Sequence, residues 1–188
     1  ASAQLGFELS AQSVAGAATH RVVGGPAGLP ESLYAELRVG RGLRAAAPIV
    51  EGIAALPELS QRPIRILGID LFAEGPFRSD LEPLSALQPG FAPFFTEPAM
   101  AVITQQFAEL YGLQPQDQLQ VQTGDRLVTV TVLGVLTGTT ALGSSDLLVM
   151  DIAGAQELLG MNGKLSRIDL ILDAPSAAEL ASQLPAGA

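Results

Sequence analysis

Apolar positions in the first seventy residues recur with two different spacings. Runs rich in apolar and β-branched residues predict strands over residues 18–23, 45–53 and 64–70. Between the first two strands, leucines recur every four residues from Leu29 to Leu37, which places them on one face of a helix. The predicted order of elements is therefore strand, helix, strand, strand.

The middle of the chain carries the clearest local pattern. A short apolar strand over residues 101–103 leads to Thr104, whose hydroxyl is suited to cap the helix that follows, and Gly112 supplies a left-handed residue to end that helix. Residues 118–122 and 126–136 predict a hairpin around a three-residue loop that contains glycine. Both faces of the second strand carry apolar or β-branched side chains, so we expect a small barrel-like unit here.

The last forty residues repeat the alternation of strands and helices. Residues 147–150 predict a strand, and Asp151 is placed to cap the helix that follows it. A further strand is expected over residues 168–172. Ser176 and Glu179 have the spacing of a capping box, which predicts a final helix that runs to about residue 184.

The composition excludes several classes of function. Nineteen acidic against ten basic side chains give a net charge of −9, which repels phosphate backbones and argues against a nucleic-acid partner. Cysteine is absent and His20 is the only histidine, which excludes thiol chemistry, disulfides and multi-histidine metal sites. The longest uncharged stretch, residues 127–145, alternates and contains three glycines, so we interpret it as strand and loop and not as a membrane helix.

Signatures of catalysis are scarce in this sequence. The G-x-S-x-G pentapeptide of serine hydrolases does not occur. Asp70, Glu74, Asp80 and Glu82 lie close together along the chain, and paired carboxylates can transfer protons or hold a cation. A solvated acidic loop between prolines is the simpler interpretation of these four residues.

A proline-rich stretch over residues 72–97 contains five of the seven phenylalanines. Phe91, Phe94 and Phe95 form its densest group. Exposed aromatic side chains tend to anchor protein interfaces, so these three residues are candidates for a partner contact. Packing in the core explains them equally well, and the sequence leaves both interpretations open.

Residues 103–136 carry a recognisable run of motifs. Gln-Phe-Ala-Glu-Leu-Tyr-Gly-Leu follows the strand that ends in Thr104, and Arg-Leu-Val-Thr-Val-Thr-Val-Leu-Gly-Val-Leu forms the second hairpin strand. Together with Leu-Leu-Val-Met at residues 147–150, this run resembles FtsX-like ABC transporter permeases, in particular their MacB-type extracytoplasmic core domain. Gln116-Asp117 departs from the pattern, because the family commonly has Gly-Asp there.

The resemblance implies an α+β fold in two parts. A porter-like α/β subdomain would comprise residues 1–72 and 166–188, and an inserted mixed β/α subdomain would comprise residues 73–165 with the hairpin at 118–136. The chain would be a fragment of a longer protein, namely the extracytoplasmic loop between two helices of a bacterial inner-membrane protein. No cofactor, metal site or catalytic residue is implied.

The function implied by the resemblance is non-catalytic. The domain would couple ATP-driven movement of membrane helices to export or release of a lipoprotein, lipid, peptide or drug-like substrate. Its partners would be its own transmembrane helices, a cytoplasmic ATPase, a second permease copy and a periplasmic protein or lipoprotein. Two alternatives stay open, a free-standing secreted binding module and a hydrolase with a carboxylate site around Asp70 and Glu74.

Overall fold

The computed structural model describes residues 17–78, 91–137 and 146–184. Within these ranges the strands are β1 (His20–Val23), β2 (Leu29–Pro30), β3 (Ala46–Leu56), β4 (Arg62–Ile69), β5 (Met100–Thr104), β6 (Gln118–Thr123), β7 (Arg126–Leu136), β8 (Leu147–Asp151), β9 (Lys164–Leu165) and β10 (Arg167–Leu170). The α-helices are α1 (Glu31–Ala35), α2 (Leu71–Glu74), α3 (Pro93–Thr96), α4 (Gln105–Tyr111), α5 (Ile152–Leu159) and α6 (Ala174–Gln183). The predicted strands and helices are found, with ends that differ by up to three residues.

Local sequence signals account for the ends of α4 and α5. The Thr104 hydroxyl accepts a hydrogen bond from the Phe107 N–H at 3.3 Å, and Gly112 ends α4 with a φ of 66°. Asp151 accepts from the Ala153 N–H at 3.1 Å, which starts α5. Each cap satisfies a backbone donor that the first helical turn leaves without a partner.

Two local predictions were wrong in detail. The cap of α6 is Asp173 and not Ser176, since the Asp173 carboxylate accepts from the Ser176 N–H at 2.8 Å. The hairpin loop has two residues and not three, because Thr123 pairs with Arg126 across the strands. The loop glycine, Gly124, has a φ of 57°, a conformation that a side chain disfavours.

Eight of the strands form one mixed sheet in the order β1-β10-β3-β4-β8-β5-β7-β6. The β4–β8 and β5–β7 pairs are parallel, and the remaining neighbours are antiparallel. An additional pairing of Ala55 on β3 with Gln122 on β6 closes six of the strands into a ring, with β10 and β1 continuing from the other half of β3. The hairpin thus takes part in a closed sheet.

The central strands are buried on both faces. On β8, Leu148 and Met150 belong to the main hydrophobic cluster, whereas Leu147 and Val149 belong to a second cluster that includes Phe91. Strands covered on both faces have near-continuous apolar sequences, as Leu-Leu-Val-Met does here. The burial of both faces agrees with the position of β8 between β4 and β5 in the sheet.

Helix α5 packs against β4 through a position without a side chain. A Cβ atom built on Gly68 would lie 2.3 Å from the Cβ of Ala155, far inside van der Waals contact. Glycine is therefore required at residue 68 for the helix to approach the strand this closely.

The predicted division into residues 1–72 plus 166–188 and residues 73–165 stays a prediction. Strand β4 lies in the first part and its neighbour β8 in the second, and both belong to the same sheet. Among the described residues, no helix is long and apolar enough to cross a membrane.

Candidate functional site

The first and last strands of the described chain, β1 and β10, pair with each other. These strands pair in antiparallel register from His20 opposite Leu170 to Val23 opposite Arg167. The Thr19 N–H donates to the Leu170 carbonyl at 2.9 Å, and the Leu172 N–H donates to the Thr19 hydroxyl oxygen at 2.9 Å. We call residues 17–23 and 167–172 the paired ends.

A carboxylate without solvent exposure lies within the paired ends. Asp169 on β10 accepts a hydrogen bond from the Arg167 Nε at 2.8 Å and from the Arg78 Nη2 at 3.1 Å. The Arg21 Nε on β1 lies 3.5 Å from the same carboxylate. Three guanidinium groups from separate parts of the chain therefore converge on one buried acid.

Two further carboxylates complete this cluster, which we call the buried charge network. Glu74 at the end of α2 pairs with Arg78, and both side chains are buried. Glu51 on β3 lies 2.5 Å from an Arg167 nitrogen. The network of three acids and three arginines is balanced in charge, and it links β1, β10, β3 and the segment that follows α2.

Burial and neighbouring charges shift two pKa values in this network. Desolvation raises the pKa of Glu74 above its ordinary value of 4.5, although the neighbouring Arg78 charge opposes the shift. Burial works against the charged form of Arg167, but Asp169 and Glu51 outweigh it and keep the Arg167 pKa above its ordinary value. A buried ion pair that loses one partner leaves an uncompensated charge, so these contacts hold their elements together as a unit.

Of the four carboxylates that the sequence singled out, the two that the structure describes, Asp70 and Glu74, have separate partners. Asp70 caps α2 by accepting a hydrogen bond from the Phe72 N–H at 3.0 Å, whereas Glu74 is engaged by Arg78. Asp80 and Glu82 lie outside the described residues. Over the three described ranges, no group of three or more His, Cys, Asp or Glu residues could hold a metal ion.

The three phenylalanines are divided between core and surface. Phe91 and Phe94 are buried and stack with ring centroids 4.8 Å apart. Phe95 retains 37% of its surface and meets both rings edge-on. Phe72, which the sequence did not single out, stacks on Phe95 at 5.3 Å and is 83% exposed. Their role in a partner contact stays a prediction, and only Phe95 of the predicted three offers an exposed ring to a partner.

An open cleft of about 240 Å³ lies beside Phe95, between the end of α3, the start of β5 and helix α5. Three of its lining residues carry charge, and all three are acidic: Glu97, Asp151 and Glu157. Burial raises the pKa of Asp151 above its ordinary value of 3.8, and the nearby charge of Asp70 adds to the shift. The cleft therefore carries a negative field.

This chain is similar to a known protein over nearly its whole length. An uncharacterized ABC transporter permease protein of Mycobacterium tuberculosis is 40% identical over 190 residues, which cover 99% of this chain. The predicted resemblance to ABC transporter permeases is confirmed. The chain spans 22% of the length of that permease. No family model matches the chain.

A solved structure shares the fold of this chain. The extracellular domain of the noncanonic ABC-type transporter YknZ from Gram-positive bacteria is similar with a TM-score of 0.52 and 16% identity, over 82% of this chain and 79% of that one. The periplasmic region of MacB from Actinobacillus actinomycetemcomitans is similar with a TM-score of 0.47 and 12% identity, over 82% and 72% of the two chains. The expected mixed α and β fold is confirmed by the YknZ domain.

The sequence did not reveal the buried charge network. Ile168 and Leu170 alternate with Arg167 and Asp169, a pattern that normally places the charged residues on a solvated face. Here that face is covered, and all four residues are buried. Nothing in the sequence shows that this face is covered, so the need of these charges for partners becomes visible only in the structure.

Proposed function

We propose that this chain is an extracytoplasmic, non-catalytic domain of an ABC transporter permease. It passes the movement of membrane helices, driven by ATP hydrolysis at a separate subunit or domain, to the export or release of a substrate. The relationship to a permease over nearly the whole chain and the shared fold with the YknZ extracellular domain support this proposal.

The pairing of Thr19 with Leu172 is the observation that carries the proposal. A loop inserted between two membrane helices has to bring its first and last segments back to the same side. The hydrogen bonds between residue 19 and residues 170 and 172 place the segment before β1 beside the segment that leads from β10 into α6. Movement of flanking helices would then reach the domain through the paired ends.

The buried charge network supports a mechanical role. Asp169 connects β10 with Arg21 on β1 and with Arg78 beyond α2. A displacement of the paired ends is therefore transmitted to β3 and α2 through directional ion pairs as well as through apolar packing. The acids and arginines of this cluster form ion pairs with one another. This arrangement agrees with a coupling role better than with catalysis.

The predicted partners follow from this proposal. The domain would work with its own membrane helices, a cytoplasmic ATPase and a second permease copy. A lipoprotein, lipid, peptide or drug-like compound would be the substrate.

The extracytoplasmic location is tested by labelling whole cells that express the full-length permease. These 188 residues contain no cysteine and Val39 is 82% exposed, so Val39→Cys adds one accessible thiol to them, and the unsubstituted permease is the control for cysteines elsewhere. A membrane-impermeant maleimide should label this variant in intact cells, whereas Ala46→Cys, at a buried position, should stay unlabelled until the protein is denatured. Labelling of Val39→Cys only after lysis would refute the location, and release of the labelled chain into the medium would favour a secreted binding module.

Coupling is tested on the full-length permease assembled with its ATPase. A fluorophore attached through Val39→Cys should report an ATP-dependent change, which Asp169→Asn should reduce while ATP hydrolysis continues. Asp146→Asn, which removes an ion pair with Arg62 outside the network, is the matched control. An ATP-dependent signal of full size in the Asp169→Asn variant would contradict transmission through the network.

A further inference from the structure

The cleft beside Phe95 has no role in the coupling path described above. Its lining brings together residues from α3 and the turn after it, from the start of β5 and from α5: Phe94, Phe95, Thr96, Glu97, Pro98, Ala99, Met100, Asp151, Ala153, Gly154 and Glu157. We call these lining residues, together with Asp70 and Phe72, the acidic cleft. Phe72 extends the lining because its ring stacks on that of Phe95.

An exposed pair of stacked aromatic rings belongs to the acidic cleft. Phe72 leaves 83% of its surface in solvent although it stacks on Phe95. The free face of a phenylalanine ring attracts cations, most often the guanidinium of arginine, at about 0.5–1 kcal/mol on a surface. The ring pair thus offers both apolar contact and a cation-binding face.

The acids of this surface are not neutralised by the described residues. Asp70, Glu97, Asp151 and Glu157 take part in none of the ion pairs formed within the described ranges. Arg126 approaches Glu157, but its guanidinium donates to the backbone carbonyl at 3.0 Å. The carboxylates are therefore available to a positive group from outside the chain.

We propose that the acidic cleft docks a segment of a partner protein in which arginine or lysine stands next to large apolar side chains. Carboxylates and ring faces together recognise such cations, and the apolar wall of Phe95, Pro98 and Met100 receives the neighbouring side chain. A second copy of this chain is a poor occupant because each chain carries a net charge of −9. The cleft volume of about 240 Å³ accommodates side chains of one segment.

The docking is tested on the 188-residue chain alone, so its outcome is independent of the coupling role. The probe is a fluorescein-labelled peptide of alternating arginine and leucine, and the matched peptide carries glutamate in place of arginine. The arginine peptide should bind with a Kd below about 1 mM at low salt and weaken as salt increases, whereas the glutamate peptide should not bind. In NMR spectra, the amide signals of Phe95, Met100 and Ala153 should shift on titration.

Substitutions separate this site from general attraction to an acidic protein. Phe72→Ala and Asp151→Asn should each weaken binding about two- to fivefold, the loss expected for one cation contact. Val39→Ala, at a position equally exposed but outside the cleft, and Glu58→Gln should leave the affinity unchanged.

Four results would overturn the proposal. The first three are unchanged affinity in both Phe72→Ala and Asp151→Asn, binding of the glutamate peptide as tight as that of the arginine peptide, and absence of binding at 1 mM, about the weakest affinity expected of a specific contact. Arginine amide that binds as tightly as the peptide would also refute a peptide site and indicate a site for small cations. None of these results would affect the test of coupling in the full-length permease.

Discussion

Thr19 and Leu172 form a two-way contact across almost the whole length of the described chain. The Leu172 N–H donates to the Thr19 hydroxyl at 2.9 Å, and that hydroxyl lies 3.1 Å from the Leu172 carbonyl oxygen. One side chain thus satisfies both backbone groups of a residue that follows the end of β10. The contact extends the β1–β10 pairing beyond the last backbone ladder bond.

Removal of the Thr19 hydroxyl should weaken the paired ends. Thr19→Val keeps the shape of the side chain but leaves the Leu172 N–H without its acceptor, so the free energy of unfolding should fall by about 1 kcal/mol. Urea denaturation measures this change. Thr129→Val, which removes a hydroxyl bonded to the exposed Gln120 side chain, serves as the control. Equal losses in the two variants would contradict a special role for Thr19.

Loss of the central charge of the network should cost far more. Asp169→Asn keeps the volume of the side chain but removes the negative charge that Arg21, Arg78 and Arg167 share, so unfolding should become easier by about 3 kcal/mol. Chemical denaturation of the variant measures the loss. Asp146→Asn breaks an ion pair with a more exposed arginine and should cost much less. A comparable loss in both variants would show that burial of Asp169 adds nothing.

The close approach of α5 to β4 should make residue 68 intolerant of a side chain. Gly68→Ala places a methyl group against Ala155 and should lower the free energy of unfolding by about 1–3 kcal/mol. Gly75→Ala, where an added Cβ meets no atom within 4 Å, should be nearly neutral. Thermal unfolding of the two variants tests the contrast. Ala155→Gly should partly restore the stability of Gly68→Ala, and its failure to do so would disprove this contact as the cause.

Titration of Asp151 should reflect its position in the acidic cleft. Because burial and Asp70 raise the Asp151 pKa in the folded state above 3.8, the folded chain holds this proton more tightly than the unfolded chain. The contribution of Asp151 to stability is therefore greatest at low pH and falls as the pH rises through the folded-state pKa. Carboxyl NMR titration should place this pKa above 3.8, and Asp70→Asn should lower it. An Asp151 pKa that is insensitive to Asp70→Asn would rule out the proposed charge contact.

Local signals in the sequence were sufficient for the longer elements, but not for the short β2, β9, α2 and α3 or for the arrangement of the strands. Thr104 and Gly112 mark the two ends of α4 because a cap and a left-handed glycine act within one turn of their own helix. The pairing of β4 with β8 brings together residues about eighty positions apart, and nothing in either strand specifies its neighbour. The closure of the sheet through Ala55 and Gln122 could not be predicted from the local sequence either.

The candidate sites illustrate the same limit. The phenylalanine group was found by composition, but its division into the buried Phe91 and Phe94 and the exposed Phe95 depends on the second hydrophobic cluster. Phe72 escaped notice because its partner, Phe95, stands 23 positions further along the chain. Asp169 was hidden because an acid that alternates with isoleucine and leucine looks like any solvated strand residue.

The antiparallel pairing of β1 with β10 makes the response of the domain depend on the direction of load. Thr19 and Leu172 stand at the open end of the pair, and its bonds follow one after another towards Val23 and Arg167. A load that draws the two segments apart unzips these bonds singly, starting at Thr19. A load that tilts or lifts both segments together stretches no bond between them, so the domain follows a concerted motion as one body and yields only when the two segments diverge.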